Sequence, residues 1–275
     1  MGETLYVSDL DRTLLNSEIR VSKRTEEVIN DLISEGMKFT IATARSWYSA
    51  SEKVKGLDLT LPVSIYNGSF IIDPVSAEVV ESKEFEKNDS KMILDKFIGG
   101  DIYPLVYSFI HEEEKVSWLF DKEDQGIKKY LAHRQDDERL RKVGSVENLY
   151  DGKPFYFSAI DKKEKLEDLI PFFERKESLS YHFQKDLNSD DYYWLEVKHC
   201  KADKASSVKR IKEITRCSKV VSFGDDLNDI PMFSISDEAY AVSNANPELK
   251  ERATGIIPTS NEDGVAGWLM KNLDL

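Results

Sequence analysis

Along the first third of the chain, short apolar runs alternate with stretches whose apolar residues recur at helical spacing. Leu5 to Ser8 reads as a buried strand. Ser22 is placed to cap a helix whose Val28, Ile29, Leu32 and Ile33 form one apolar face, with Gly36 as its stop. "MKFTIAT" (37–43) predicts the next strand, and "SWYSASEKVKG" (46–56) a second helix opened by Ser46 and closed by Gly56. "PVSIYNGSFII" (62–72) predicts two strands joined at an Asn67-Gly68 turn of the hairpin type.

The last third alternates in the same way. "ADKASSVKRIKEIT" (202–215) carries Val208, Ile211 and Ile214 at helical spacing, and "KVVSF" (219–223) is a compact strand followed by "GDDLND" and the short helix "IPMFSI". "AYAV" (239–242) and "GII" (255–257) read as strands, Pro247 starts a helix at its favoured first position, and a final helix runs from Asp263. Repeated β-α alternation on both flanks implies an α/β fold, a doubly wound, Rossmann-like parallel sheet covered by helices on both faces.

The middle is different. "YPLVYSFI" and "VSWLF" bracket "HEEEK" as a hairpin with a solvated turn; "FYFSAI", a single helix over "KKEKLEDLIPFFERK", "LSYHFQ" and "YYWLEV" follow. These strands are rich in aromatics and alternate polar with apolar residues, as antiparallel strands with one wet face do. The expected organisation is a discontinuous domain of residues 1–83 plus 198–275, with an α+β domain of 84–197 inserted in it.

Charge narrows the partners. With 51 Asp+Glu against 38 Lys+Arg, the formal net charge is -13, which argues against nucleic acid or an anionic membrane. No run approaches the roughly 18 apolar residues that cross a bilayer, and "MGETLYVSD" lacks the features of a signal peptide. Cys200 and Cys217, the two cysteines, sit in no CxxC or Cys/His cluster, which speaks against zinc and suits a reduced, cytoplasmic setting. His111, His133, His182 and His199 show no metal-ligand spacing, with His182 the one placed to face a substrate. The four tryptophans, Trp47, Trp118, Trp194 and Trp268, are read as packing residues.

Ligands of a parallel sheet bind at the carboxyl ends of its strands, and polar clusters gather there. "DLDRT" (9–13) follows the first strand and "TAR" (43–45) the second; Lys204 heads a helix, and "GDDLND" (224–229) follows the strand "KVVSF". Taken singly these are turns, caps and a solvated lysine. In this order the set resembles the haloacid dehalogenase-like phosphatases, with their Asp-x-Asp-x-Thr, Thr/Ser, Lys and Gly-Asp-x-x-Asn-Asp motifs. The large insertion and the Tyr66-Asn67-Gly68 hairpin are similar to the Cof-type subgroup with its type-two α+β cap.

The resemblance implies a Mg²⁺-dependent phosphatase of small phosphomonoesters, such as sugar phosphates or phosphorylated cofactors, working through an aspartyl-phosphate. It implies Asp9 as nucleophile and metal ligand, and Asp11 as general acid and base with its backbone carbonyl on the metal. Asp225 and Asp229 complete the metal ligands, hard oxygen donors that suit Mg²⁺. Thr43, Lys204 and Asn228 are expected to hold the phosphoryl group, and Arg45 either contacts substrate or makes a salt bridge. The inserted domain would close over the site, exclude water and choose the leaving group. The expected partner is a small phosphorylated metabolite, and the expected assembly a monomer or weak homo-oligomer. The loop "HFQKDLNSDDYY" (182–193), with Asn188, is a candidate substrate contact and equally an ordinary polar loop.

Three positions depart from the usual glycine of these motifs: Arg12, Ala44 and Ala205. The alanines are mild where φ is negative. Arg12 has three outlets: pairing with an aspartate, contact with substrate or cap, or solvent. The same residues would serve a phosphotransferase or mutase. With turnover lost they would serve a phosphoaspartate switch or a phosphometabolite-binding module.

Overall fold

A computed structural model describes residues 3–111, 113–132, 134–186 and 191–273 of the chain. His133 and Asn188 lie outside the described residues. The chain divides into two compact units, one of Met1–Ser82 with Ala202–Leu275 and one of Lys83–Lys201.

The first unit begins with β1 (Thr4–Ser8), α1 (Lys23–Ser34), β2 (Lys38–Ile41) and α2 (Trp47–Val54). Ser22 caps α1 by accepting from the Thr25 N–H at 3.0 Å, and Ser46 caps α2 by accepting from the Ser49 N–H at 3.2 Å. At its other end α1 closes with Gly36 N–H donating to Ile33 and Met37 N–H to Leu32, which uses up two of its last carbonyls. β3 (Val63–Ile65), β4 (Phe70–Ile72) and β5 (Val79–Ser82) then form a small antiparallel sheet. β3 touches the end of β2 through a parallel bridge between Ala42 and Ser64.

The second unit follows: α3 (Lys87–Gly99), β6 (Leu105–Ile110), β7 (Glu113–Leu119), α4 (Gln125–Ala132), β8 (Leu140–Val143), β9 (Lys153–Lys162), α5 (Lys163–Glu167), α6 (Ile170–Glu174), β10 (Leu179–Lys185) and β11 (Tyr192–His199). Its six strands run in the order β10-β11-β9-β6-β7-β8, all antiparallel except the parallel pair β7–β8. Alternate residues of β9 and β11 (Phe157, Ala159, Leu195, Val197) turn to one face, where they pack with Ile93 and Phe97 of α3 and Phe173 of α6. Each of these side chains larger than alanine contributes roughly 1.5–3 kcal/mol when removed from water.

The chain returns with α7 (Lys204–Thr215), β12 (Lys219–Gly224), α8 (Ile230–Ile235), β13 (Glu238–Val242), α9 (Pro247–Lys250), β14 (Gly255–Ile257) and α10 (Gly264–Asn272). The main sheet of the first unit is parallel throughout, ordered β14-β13-β12-β1-β2. β1 is an interior strand, with Val7 opposite Thr40 on one side and Ser222 on the other. Leu5, Val7, Val220 and Phe223 are fully buried, as strands covered on both faces require. Trp268 packs on Tyr6, Phe223 and Tyr240.

Three local expectations are corrected. The helix expected over 162–176 is two short helices, because Pro171 has no N–H to continue the ladder and instead starts the second. Of "HEEEK", Glu113, Glu114 and Lys115 belong to β7, and Glu114 is paired with Arg139 at 2.5 Å rather than solvated. The Asn67-Gly68 hairpin is wider than a two-residue turn: Ile65 pairs with Phe70, and Tyr66, Asn67 and Gly68 are all left-handed, with φ of 50°, 52° and 89°. Among the described residues no helix is long and apolar enough to cross a membrane.

Candidate active site

The carboxyl end of β1 delivers Asp9, whose N–H donates to the Phe223 carbonyl of β12 at 2.9 Å. The neighbouring strand β12 ends at Gly224 and hands the chain to Asp225 and, one turn on, Asp229. A Cβ on Gly224 would lie 2.6 Å from Asp229 Oδ2, so only glycine lets that carboxylate fold back on the strand end. Oδ2 of Asp229 then accepts from the Asp225 N–H at 2.9 Å and the Asp226 N–H at 3.2 Å. Asp226 itself is exposed and caps the turn through the Leu227 N–H at 2.8 Å.

Lys204 enters from α7. Asp203 accepts from the Ser206 N–H at 2.7 Å and so starts the helix at Lys204. The Lys204 ammonium donates to Asp9 Oδ1 and to Asp229 Oδ1, each at 2.6 Å, and its side chain is fully buried. The loop after β3 is keyed to this helix: a Cβ on Gly68 would lie 2.0 Å from the Asp203 carbonyl oxygen. The loop's left-handed backbone is used twice more, with Tyr66 N–H donating to the Arg45 carbonyl and Asn67 N–H to the Thr43 carbonyl, both at 2.9 Å. Asn228 Nδ2 donates to Asn67 Oδ1 at 3.0 Å. Thr43 is buried, and its hydroxyl oxygen accepts from the Arg45 N–H at 3.1 Å.

Asp9, Asp225 and Asp229 each offer an oxygen within 4.8 Å of the others, all buried. Three carboxylates face the buried Lys204 ammonium and, at 3.4 Å from Asp225 Oδ2, the largely exposed Arg12 guanidinium, which leaves the group short of positive charge. Burial pushes the Asp9 carboxyl well up; Asp229 and Asp225 add to the push, and Lys204 offsets part of it. Burial also pushes Asp225 up to about 7, with Asp229 adding and Arg12 opposing. Lys204 loses solvation too, but Asp229 and Asp9 outweigh that and hold it charged.

This donor set fits a small divalent cation. It is all oxygen and it is anionic. Asp229, having accepted three hydrogen bonds, keeps one lone pair; Asp9 keeps Oδ2 free of hydrogen bonds from the described residues. No histidine among the described residues joins this group.

Asp11 stands apart. Its side chain is 48% exposed, against 6% for Asp9, and it belongs to a different set of contacts. Arg45, expected either beside substrate or in a salt bridge, forms the salt bridge: Nε donates to Asp11 Oδ2 at 2.8 Å and Nη2 to Oδ1 at 2.6 Å. Arg12 is left-handed, with φ of 61°, which accounts for the glycine usual at this position. Its guanidinium donates to the Asn244 carbonyl at 2.8 Å and lies 3.4 Å from Asp225 Oδ2, with 60% of the side chain exposed. Of the outlets left open for Arg12, this structure contains the aspartate pair. Ser49, Asn67 and Asn244 hold site residues in place without having been singled out for it. Only Asn67 carried a signal, its place in the turn.

The profile of the haloacid dehalogenase-like hydrolase family matches residues 6–269, and the chain belongs to that family. Its relatives include a 5-amino-6-(5-phospho-D-ribitylamino)uracil phosphatase, YwtE of Bacillus subtilis strain 168, 25% identical with 95% of each chain covered. Phosphatase YwpJ of the same organism is 26% identical, covering 98% of this chain and 99% of the relative. Among solved structures, TM0651 from Thermotoga maritima superposes with a TM-score of 0.80 at 23% identity, over 98% of this chain and 97% of the other. The HAD subclass IIB sugar phosphatase BT4131 does so at 0.74 and 18% identity, over 99% of each chain. The protein is thus a haloacid dehalogenase-like hydrolase, on a mixed α/β fold with a parallel sheet.

Proposed function

We propose that the protein is a Mg²⁺-dependent phosphomonoesterase of small soluble phosphates, sugar phosphates or phosphorylated metabolites, with Asp9 as nucleophile. The observation that carries this reading is the buried group Asp9, Asp225 and Asp229 with one lysine threaded through it. A metal bound there by Asp9, Asp225, Asp229 and the Asp11 carbonyl would supply Lewis-acid and template chemistry.

A carboxylate oxygen of Asp9 attacks phosphorus, forming a P–O bond while the bond to the leaving alcohol breaks. Asp11 gives that alcohol its proton. A water then attacks the aspartyl-phosphate, Asp11 takes its proton back, and the P–O bond to Asp9 breaks to release phosphate. Three donors remain for the phosphoryl oxygens: the third N–H of Lys204, the hydroxyl hydrogen of Thr43 and the second Nδ2 hydrogen of Asn228. The 83–201 unit takes the part of the substrate-specificity cap. Free Cys200 and Cys217 support a cytoplasmic setting. The relatives' printed activities support a phosphorylated polyol or sugar as substrate.

The test is phosphate release from a panel of sugar, polyol and nucleotide phosphomonoesters, with Mg²⁺ and with EDTA. Release that needs Mg²⁺ and is lost in Asp9→Asn is expected. Equal turnover by the mutant, or no dependence on a divalent ion, overturns the reading.

A further inference from the structure

The Arg45 guanidinium is engaged with protein groups on three of its five N–H bonds. Two form the fork on Asp11, and Nη1 donates to Ser49 Oγ on α2 at 2.8 Å. Its backbone is anchored on both sides, the N–H to Thr43 Oγ1 and the carbonyl to the Tyr66 N–H. Asp11, by contrast, is half exposed and outside the buried carboxylate group, so without the fork it would spread over several rotamers. A fork accepts one lone pair from each carboxylate oxygen and fixes the carboxyl plane, leaving the other lone pair on each oxygen for a proton.

We propose that Arg45 is a positioning residue that holds the Asp11 carboxylate in one orientation for proton transfer, which rests on the acid–base role given to Asp11 above. The role gives a function to the salt bridge, one of the two expectations for this arginine: Arg45 acts on the substrate through another side chain, not by touching the phosphate.

The test compares the first turnover of an alkyl phosphomonoester, whose leaving group needs a proton, with that of p-nitrophenyl phosphate, whose leaving group does not. Wild type, Asp11→Asn, Arg45→Ala and Arg45→Lys are measured with Mg²⁺ at several substrate concentrations, alongside thermal unfolding. Arg45→Ala is expected to slow the alkyl ester roughly 10²-fold at saturation, with the half-saturating concentration within about threefold and the nitrophenol burst nearly unchanged. Lysine keeps the charge and not the fork, so Arg45→Lys should stay within about threefold of Arg45→Ala. An equal loss on both esters with weakened saturation makes Arg45 a substrate ligand and overturns the proposal. A lower melting temperature with unchanged first turnovers makes it structural and does the same. If Asp11→Asn treats the two esters alike, the acid role of Asp11 itself falls, and that outcome is separate because it does not involve Arg45.

Discussion

Each unit buries a small network of charge, and the two are built to opposite ends. In the second unit Arg139 donates to Asp137 at 2.9 and 2.6 Å and to Glu114 at 2.5 Å, and all three side chains are largely buried. Burial opposes ionisation of Asp137, but the hydrogen bonds and charge of Arg139 outweigh it and hold the carboxyl below its usual range. In the first unit three carboxylates crowd round one buried lysine, with Arg12 at the edge, and burial drives Asp9 and Asp225 up. In one network the cation outweighs burial and keeps its carboxyl ionised; in the other burial and carboxylate repulsion outweigh the cations, and that is where a further cation finds a reason to bind.

Breaking each network should therefore give opposite signatures. Asp9→Asn is expected to cost at least roughly 10⁴-fold in kcat while leaving the metal-free protein as stable as wild type or more so, read by steady-state kinetics and urea unfolding. Arg139→Ala strands two buried carboxylates and should destabilise by about 3–5 kcal/mol in urea unfolding, with kcat of the folded protein unchanged. If both substitutions lowered stability alike, the contrast would collapse.

Metal sharpens the contrast next. Mg²⁺ at a hundred times its dissociation constant should stabilise the wild type by about 2.7 kcal/mol and leave Asp225→Asn almost unmoved, read as melting temperature against EDTA. Acid probes the Arg139 network. Since the folded value of Asp137 is depressed, its contribution is present above the unfolded value, roughly 3.9, and is lost as pH falls through the folded one. The gap in melting temperature between wild type and Asp137→Asn should thus be steady near neutrality and close below about pH 4. The smallest effect belongs to Arg12→Gly, which relieves a left-handed non-glycine residue and should add about 0.5 kcal/mol. Arg12→Ala keeps the strain and should show no such gain in the same unfolding assay.

What was legible in advance follows from the range of each interaction. The strands of the main sheet are covered on both faces, so Leu5–Ser8 and the 219–223 run appear as compact, mostly apolar stretches. The caps Ser22 and Ser46 act within three residues and were equally visible. The clusters at the strand ends identified which side chains to gather, but not how they pair. Lys204 reaches Asp9 across 195 positions, and the Arg45 fork on Asp11 was indistinguishable from a substrate contact. Arg139 lies 25 positions from Glu114, so the "HEEEK" run looked solvated. Pro171 was a local signal, outvoted by the helical residues around it. Left-handed backbone at Tyr66 and Arg12 is imposed by neighbours rather than by those residues.

The place of β1 between β2 and β12 bears on how the chain is made. Its partner on one side, β2, follows within 40 residues, but its other partner, β12, begins only at Lys219. During synthesis at about 5–20 residues per second, β1 therefore waits on the order of ten seconds with one edge unpaired. The 83–201 stretch is continuous and can complete its own sheet in that interval. A nascent chain stalled before Lys219 should present a folded second unit beside an open, edge-exposed first one, the state in which this protein most needs a chaperone.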